Sequence, residues 1–159
     1  MIGLLAVSKN NIIGHQGKLP WKCKEDLEWF KHCTKNKKII VGYTTYVNMP
    51  RLRDRKLFVL SDKHKESVYD PFKDFAMSTI CYDDVFKLKD YNDLIVCGGN
   101  KTYNTFINHI DVLYVTRLNF EVEGDTELQI DFEQHFKEPY LHRILSKDAS
   151  VYAYVNKNF

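Results

Sequence analysis

Six short runs of aliphatic and β-branched residues constrain this chain more than any other feature: IGLLAVS (2–8), KIIVG (38–42), KLFVLS (56–61), DLIVCGG (93–99), VLYVTRL (112–118) and SVYAYVNK (150–157). They are continuous rather than alternating, as strands buried on both faces require. The segments between them predict helices over 24–34, 44–49, 82–89 and 101–109. Strands alternating with helices make an α/β sheet with right-handed crossovers. The late strands flanking the loop NFEVEGDTE (119–127) read as antiparallel. The expected fold is therefore a mixed, mostly parallel central sheet with an antiparallel C-terminal hairpin and about four flanking helices. At 159 residues with 44% hydrophobic composition, one domain over 1–159 is expected, with enough apolar material for one core.

Charge narrows the partners. The 23 basic and 21 acidic side chains leave +2, too little to supply a field for nucleic acid or an anionic membrane. Cys23, Cys33, Cys81 and Cys97 are irregularly spaced, without a C-x-x-C pair or a nearby histidine at metal-ligand spacing, so reduced thiols and no metal are expected. The opening MIGLLAVS has no basic segment before its apolar run and reads as a first strand. No apolar run is long enough to span a bilayer. These features set the expectation of a cytoplasmic protein, and no exposed apolar helix demands a partner, so a monomer is expected.

The helix predicted at 24–34 carries an anomaly. At about 100° per residue, Lys24, Glu25, Glu28, Lys31 and His32 share one side, while Leu27, Trp29, Phe30 and Cys33 share the other. Asp26 falls in the middle of the apolar side. An acidic residue in a first helical turn is favoured by the macrodipole wherever it points, but a buried one is costly unless it has partners. Burial also raises a carboxyl pKa, which suits acid-base chemistry or recognition of a cationic edge. Trp21, after Pro20, lies in the preceding loop, where it is either a core plug or a pocket wall.

Two turns share one design. LIVCGGNKTY (94–103) and IIVGYTTY (39–46) each run from a buried strand through glycine into a helix. Such turns let backbone N–H groups approach a phosphate, and each read alone could be a plain tight turn or, for Thr44 and Thr45, a helix cap. Two of them in one small α/β sheet suit the two ends of a dinucleotide pyrophosphate. The run RLRDRK (51–56) is either a solvated face or an anion patch, from which one arginine could clamp a carboxylate with its planar fork.

Eight segments in order, AVSKNNIIG (6–14), LPW (19–21), DLEWFK (26–31), VGYTTY (41–46), RKLFVLS (55–61), CGGNKTY (97–103), LYVT (113–116) and EGDT (123–126), resemble the dihydrofolate reductases of the short bacterial or phage type along essentially the whole chain. The resemblance implies hydride transfer from NADPH to C6 of dihydrofolate, with a proton delivered to N5. It makes Asp26 the active-site carboxylate, Trp21 the holder of an ordered water, and Thr116 the residue that bonds Asp26 across the pocket. Leu5, Ala6, Leu27, Phe30, Met49, Leu52 and Cys97 become substrate-pocket walls, and Arg55 receives the α-carboxylate of the substrate's glutamate tail. Ala6, Ile13 and Leu19 border the nicotinamide. Gly42, Tyr43, Thr44, Thr45, Leu60, Ser61, Asp62, Gly98, Gly99, Asn100, Lys101, Thr102 and Tyr103 form the rest of the cofactor seat. Residues 9–23 match a mobile active-site loop braced by EGDT, and residues of about 37–90 match an adenosine-binding subdomain.

Three positions depart from the family pattern. Tyr43 stands where an arginine is usual, Asp62 where a hydroxyl often helps hold the 2′-phosphate, and Asn100 where a glycine is usual. Lys101 and Lys63 remain as cations, so the expected cofactor is NADPH, with NADH possible at reduced efficiency. Antifolates are expected ligands of the same pocket. Two alternatives stay open at this point: a riboflavin-pathway reductase of the same fold, and a noncatalytic dinucleotide-binding or virion structural protein that keeps it.

Overall fold

The computed structural model describes residues 1–16, 19–50, 52–62, 68–70 and 75–159, with 68–70 and 75–76 described by their backbone alone. In chain order the elements are β1 (Ile2–Val7), β2 (Ile12–Gly14), α1 (Lys24–Thr34), β3 (Lys38–Gly42), α2 (Tyr43–Asn48), β4 (Lys56–Leu60), β5 (Val68–Asp70), β6 (Phe75–Ile80), α3 (Tyr82–Val85), β7 (Ile95–Val96), α4 (Asn100–Phe106), β8 (Val112–Leu118), β9 (Thr126–Glu127), α5 (Phe132–His135), β10 (Tyr140–Ser146) and β11 (Ala149–Val155).

Nine strands form one sheet in the order β10-β11-β8-β1-β7-β3-β4-β6-β5, while β2 and β9 make a separate two-stranded ribbon. The central run from β8 through β1, β7, β3 and β4 to β6 is parallel. The contacts of β11 with β8 and β10, and of β5 with β6, are antiparallel. This is the expected mixed sheet with its C-terminal hairpin.

Continuous apolar strands bury both faces, and the core divides accordingly. Leu5, Val7, Ile40 and Phe58 pack in one cluster with Phe106, Ile110 and Leu113. Their chain neighbours Leu4, Ile39, Val41, Leu57 and Val59 point the other way into a second cluster. Because successive side chains of a strand alternate, these runs serve two cores at once.

Some expected boundaries shift. The strand expected over 93–99 shortens to β7, the helix expected over 82–89 to α3, and the helix expected over 101–109 becomes α4 followed by a 3₁₀ turn at Ile107–His109. Five short α-helices, rather than about four, flank the sheet among the described residues. The loop at 119–127 carries β9 at its end, which pairs with β2 rather than serving as a simple connection between sheet strands.

Candidate active site

In a parallel sheet, ligands gather at the carboxyl ends of the strands, where the crossover loops diverge. Here the ends of β1, β3, β4, β7 and β8 open into a cavity of about 1590 Å³ walled on one side by α1 and α2. That exceeds the roughly 300–1,000 Å³ of a site for one drug-sized ligand. Its volume suits more than one ligand of that size.

Asp26 occupies the α1 wall. Asp26 and Thr34 are the buried side chains of the helix, whereas Leu27 is 52% exposed, so the apolar face of α1 borders an open cleft rather than a closed core. Asp26 itself is 7% exposed and is the one charged side chain among the buried described residues. Burial pushes its carboxyl above the ordinary aspartate value, and the polar hydrogens of Trp21 and Thr116 partly oppose the rise. Thr116 reaches this point because β8 runs parallel beside β1 with Ala6 opposite Thr116.

Trp21 follows the first of the two readings, a core plug, rather than the pocket wall. Its ring packs with Cys23, Leu118 and Ala149 in a small cluster, and it alone of the sequence-predicted site residues stands outside the cleft lining. Its indole N–H is sealed from solvent without a hydrogen-bond partner of good geometry. It acts on Asp26 as a nearby polar hydrogen.

At the outer end of the cleft Arg55 is fixed against α1. Its Nε–H donates to Thr34 Oγ1 at 3.1 Å and its Nη2 to the Lys31 carbonyl at 3.4 Å. Thr34 in turn donates to the Phe30 carbonyl at 2.8 Å. The guanidinium is thus held by the last turn of α1 while lining the cavity, which leaves an oriented cation where a ligand carboxylate could meet it. Of the rest of the basic run, Arg53 also lines the cavity, and Arg51 lies outside the described residues.

The two strand-glycine-helix turns meet across the sheet. Gly42 N–H donates to the Gly98 carbonyl at 2.9 Å, which joins the end of β3 to the turn after β7. Gly98 has φ of +126° and its peptide bond to Gly99 is cis; at that φ a side chain is disfavoured. A Cβ there would meet the Tyr103 hydroxyl at 3.5 Å and Thr45 Oγ1 at 3.7 Å, ordinary contact distances, so the backbone angle rather than crowding calls for glycine. Below the turn Tyr103 is buried and donates its hydroxyl to the Leu4 carbonyl at 2.5 Å, tying α4 to β1.

Every other predicted site residue lines this one cavity: Leu5, Ala6, Ile13, Leu19, Phe30, Met49, Leu52, Leu60, Ser61, Cys97, Gly99, Asn100, Lys101 and Thr102 stand there with those already named. So do Tyr43, Thr44 and Asp62. Lys63 lies outside the described residues. The lining also includes Met77 and Thr79 from β6 and Thr126 from β9. Sequence reasoning missed the first two because FAMSTI, mixed with serine and threonine, was not read as a strand; Thr126 was within reach through EGDT. All four cysteines are free thiols. Burial raises the Cys33 thiol to about 11 and Cys97 further, so both stay protonated at neutral pH. Among the described residues no group of His, Cys, Asp or Glu could hold a metal ion, and no helix is long and apolar enough to cross a membrane.

The family model described as dihydrofolate reductase matches residues 1–156. The chain belongs to the dihydrofolate reductase family. It is 36% identical over 127 residues to the dihydrofolate reductase of Buchnera aphidicola from Schizaphis graminum, covering 76% of this chain and 73% of that protein. To the Haemophilus influenzae dihydrofolate reductase it is 29% identical over 143 residues, covering 84% of this chain and 86% of the relative. In fold it resembles a solved dihydrofolate reductase from Enterococcus faecalis, a complex with NADP(H) and RAB-propyl, at a TM-score of 0.75, 24% identity and coverage of 99% and 96%. Membership of the dihydrofolate reductase family gives the large cleft, with its buried carboxyl at one wall and paired glycine turns at another, a chemical setting.

Proposed function

We propose that this cleft seats dihydrofolate against α1 and NADPH across the ends of β3, β4 and β7, and that Asp26, Trp21 and Thr116 form its catalytic group. As a dihydrofolate reductase the protein catalyses NADPH-dependent reduction of 7,8-dihydrofolate to 5,6,7,8-tetrahydrofolate, a step that supports one-carbon metabolism and thymidylate synthesis. The observation that carries the residue assignment is Asp26: a carboxyl buried on the pocket wall, with no cation raising or lowering its pKa among the described residues, finds its partner in the amino-pyrimidine edge of a pterin. Antifolates that present the same edge belong in the same half of the cleft.

The residues present fit the cofactor. The Gly98–Gly99 turn, held to Gly42 and open toward Thr45, gives a phosphate close access to backbone, and Lys101 stands beside it in the first turn of α4. When bound, NADPH supplies the hydride at nicotinamide C4. The chain's own residues orient and desolvate: Ala6, Ile13 and Leu19 border the nicotinamide end, Phe30, Met49 and Leu52 wall the pterin and its linker, and Arg55 takes the tail carboxylate. Asp26 holds the pterin edge and favours a proton at N5. Residues of about 37–90, contributing β3, β4 and β6 with α2, carry the adenosine end. The setting proposed is cytoplasmic and monomeric, without nucleic acid.

The purified protein is expected to consume NADPH, read as loss of reduced-nicotinamide absorbance, only when dihydrofolate is supplied. A folded protein that binds NADPH without turnover would instead be a noncatalytic dinucleotide binder. Within that assay Arg55→Leu is expected to raise KM for dihydrofolate by the equivalent of about 1.5–3 kcal/mol, one charge-assisted hydrogen bond. It should have a smaller effect on a dihydropterin lacking the glutamate. Equal losses on both substrates would remove Arg55 from tail recognition.

A further inference from the structure

Asn100, where the family usually has glycine, commits its side chain to backbone groups of residues 127 and 129. It donates from Nδ2 to the Glu127 carbonyl at 2.7 Å and accepts at Oδ1 from the Gln129 N–H at 2.9 Å. One turn later Asn104 donates from Nδ2 to the Gln129 carbonyl at 2.8 Å and to the Asn100 carbonyl at 2.9 Å. Between these bonds Leu128 is anchored in the main core. Its backbone is met from the other side by Asn11, which accepts the Leu128 N–H at its carbonyl at 2.9 Å and donates Nδ2 to the Leu128 carbonyl at 3.2 Å.

Residues 127–129 are therefore gripped from both sides. On one side is the helix that begins at the Gly98–Gly99 turn. On the other is the segment that leads into β2, whose Ile12 and Gly14 pair with Glu127 and Thr126 of β9. Ile13, Gly14 and Thr126 line the cavity, as do Gly98, Gly99 and Asn100. We propose that Asn100 is a positioning residue that ties the pyrophosphate turn to the β2–β9 ribbon, so that filling the turn orders the ribbon over the nicotinamide end. This rests on the placement of NADPH in the cleft argued above. The amide suits the task because it sets a donor NH2 beside an acceptor oxygen in a fixed fork and so meets backbone as another strand would. Glycine at this position could make neither bond.

Linkage makes the coupling reciprocal: what cofactor binding does for the ribbon, the ribbon does for cofactor affinity. In the parent protein NADPH is expected to slow amide hydrogen exchange both at 98–103 and at 11–14 and 126–129. In Asn100→Gly and Asn100→Ala, NADPH should still protect 98–103 but no longer 11–14 and 126–129, and its Kd should rise about fivefold, the lower end of typical couplings. Asn100→Asp, which sets an oxygen against the Glu127 carbonyl, should weaken binding more than alanine, and Asn104→Ala less. A merely structural asparagine would give faster exchange with and without cofactor while leaving the NADPH-induced change intact, and that result overturns the proposal. Protection confined to 98–103 in the parent overturns the coupling alone. No NADPH protection anywhere in the parent overturns the reading of the cleft and the coupling with it.

Discussion

Asp26 carries a cost in stability that its proposed role in the chemistry would account for. Its folded-state pKa lies above the ordinary aspartate value because burial penalises the carboxylate. Between the unfolded and folded values the folded chain binds more protons than the unfolded one, so stability falls as pH rises through that window, and above it the full cost of the buried charge is present. Asp26→Asn is accordingly expected to raise Tm at neutral pH, with the advantage over the parent shrinking as pH falls toward the ordinary aspartate value. The same variant should lose about 10² to 10⁴-fold in turnover at pH 7, the usual span of acid-base contributions, while NADPH affinity is kept. Turnover near the parent's at pH 7 would take Asp26 out of the mechanism; a lowered Tm would mean that the carboxylate is paired rather than merely buried. Asp26 was legible in the sequence because a helical period exposes one charge out of place on an apolar face. The side-chain ties of Asn100 and Asn104 were not, since their partners are backbone groups 25–29 residues away and hydrogen bonds to backbone leave no side-chain pattern to read.

Elements with one buried environment announce themselves, and those at an edge do not. β1, β3, β4 and β8 were readable as continuous apolar runs because each is covered on both faces. β10 forms one margin of the sheet with its residues exposed from Tyr140 through Ile144, and YLHRILS shows no apolar continuity for that reason. The ribbon of β2 and β9 was hidden differently. Its strands are three and two residues long, too short for periodicity, and its register is set by a backbone approach at Gly124. A Cβ on Gly124 would lie 2.3 Å from Ile12 Cγ2 and 2.7 Å from the Gly14 carbonyl, so any larger residue must push β2 away from β9. Asp125 helps close the same contact by accepting the Gln16 N–H at 2.9 Å, and that bond with the Thr126 hydroxyl holds its carboxyl below the usual range. Gly124→Ala is therefore expected to slow the hydride step, measured with deuterated NADPH in single turnovers, while the main sheet keeps its thermal transition within a few degrees. An unchanged hydride rate would mean that the ribbon's position does not govern the nicotinamide end of the cleft.

At the scale of the whole molecule, the proposed cofactor seat draws on three strand ends that the sheet order brings together. Tyr43 opens α2 after β3 and is 67% exposed, Asp62 follows β4, and Lys101 sits in the first turn of α4 after β7; all three line the same cavity. The family pattern would have a cation at the first position and a hydroxyl at the second. This chain instead has a tyrosine and an acidic residue there, and in the proposed seat Asp62 would oppose a 2′-phosphate while Lys101, in the first turn of α4, would attract it. Each charge-assisted hydrogen bond to a phosphate contributes about 1.5–3 kcal/mol, so losing one narrows selectivity by roughly tenfold or more without reversing it. The ratio of kcat/KM for NADPH to that for NADH should then widen in the double variant Tyr43→Arg, Asp62→Ser and collapse toward one in Lys101→Ala. Raising ionic strength should narrow the ratio in the parent and hardly move it in Lys101→Ala, because an exposed cation's pull on a phosphate is screened by salt whereas the contacts to nicotinamide and adenine are not. A Lys101→Ala enzyme that discriminates as well as its parent would place the 2′-phosphate elsewhere on the molecule.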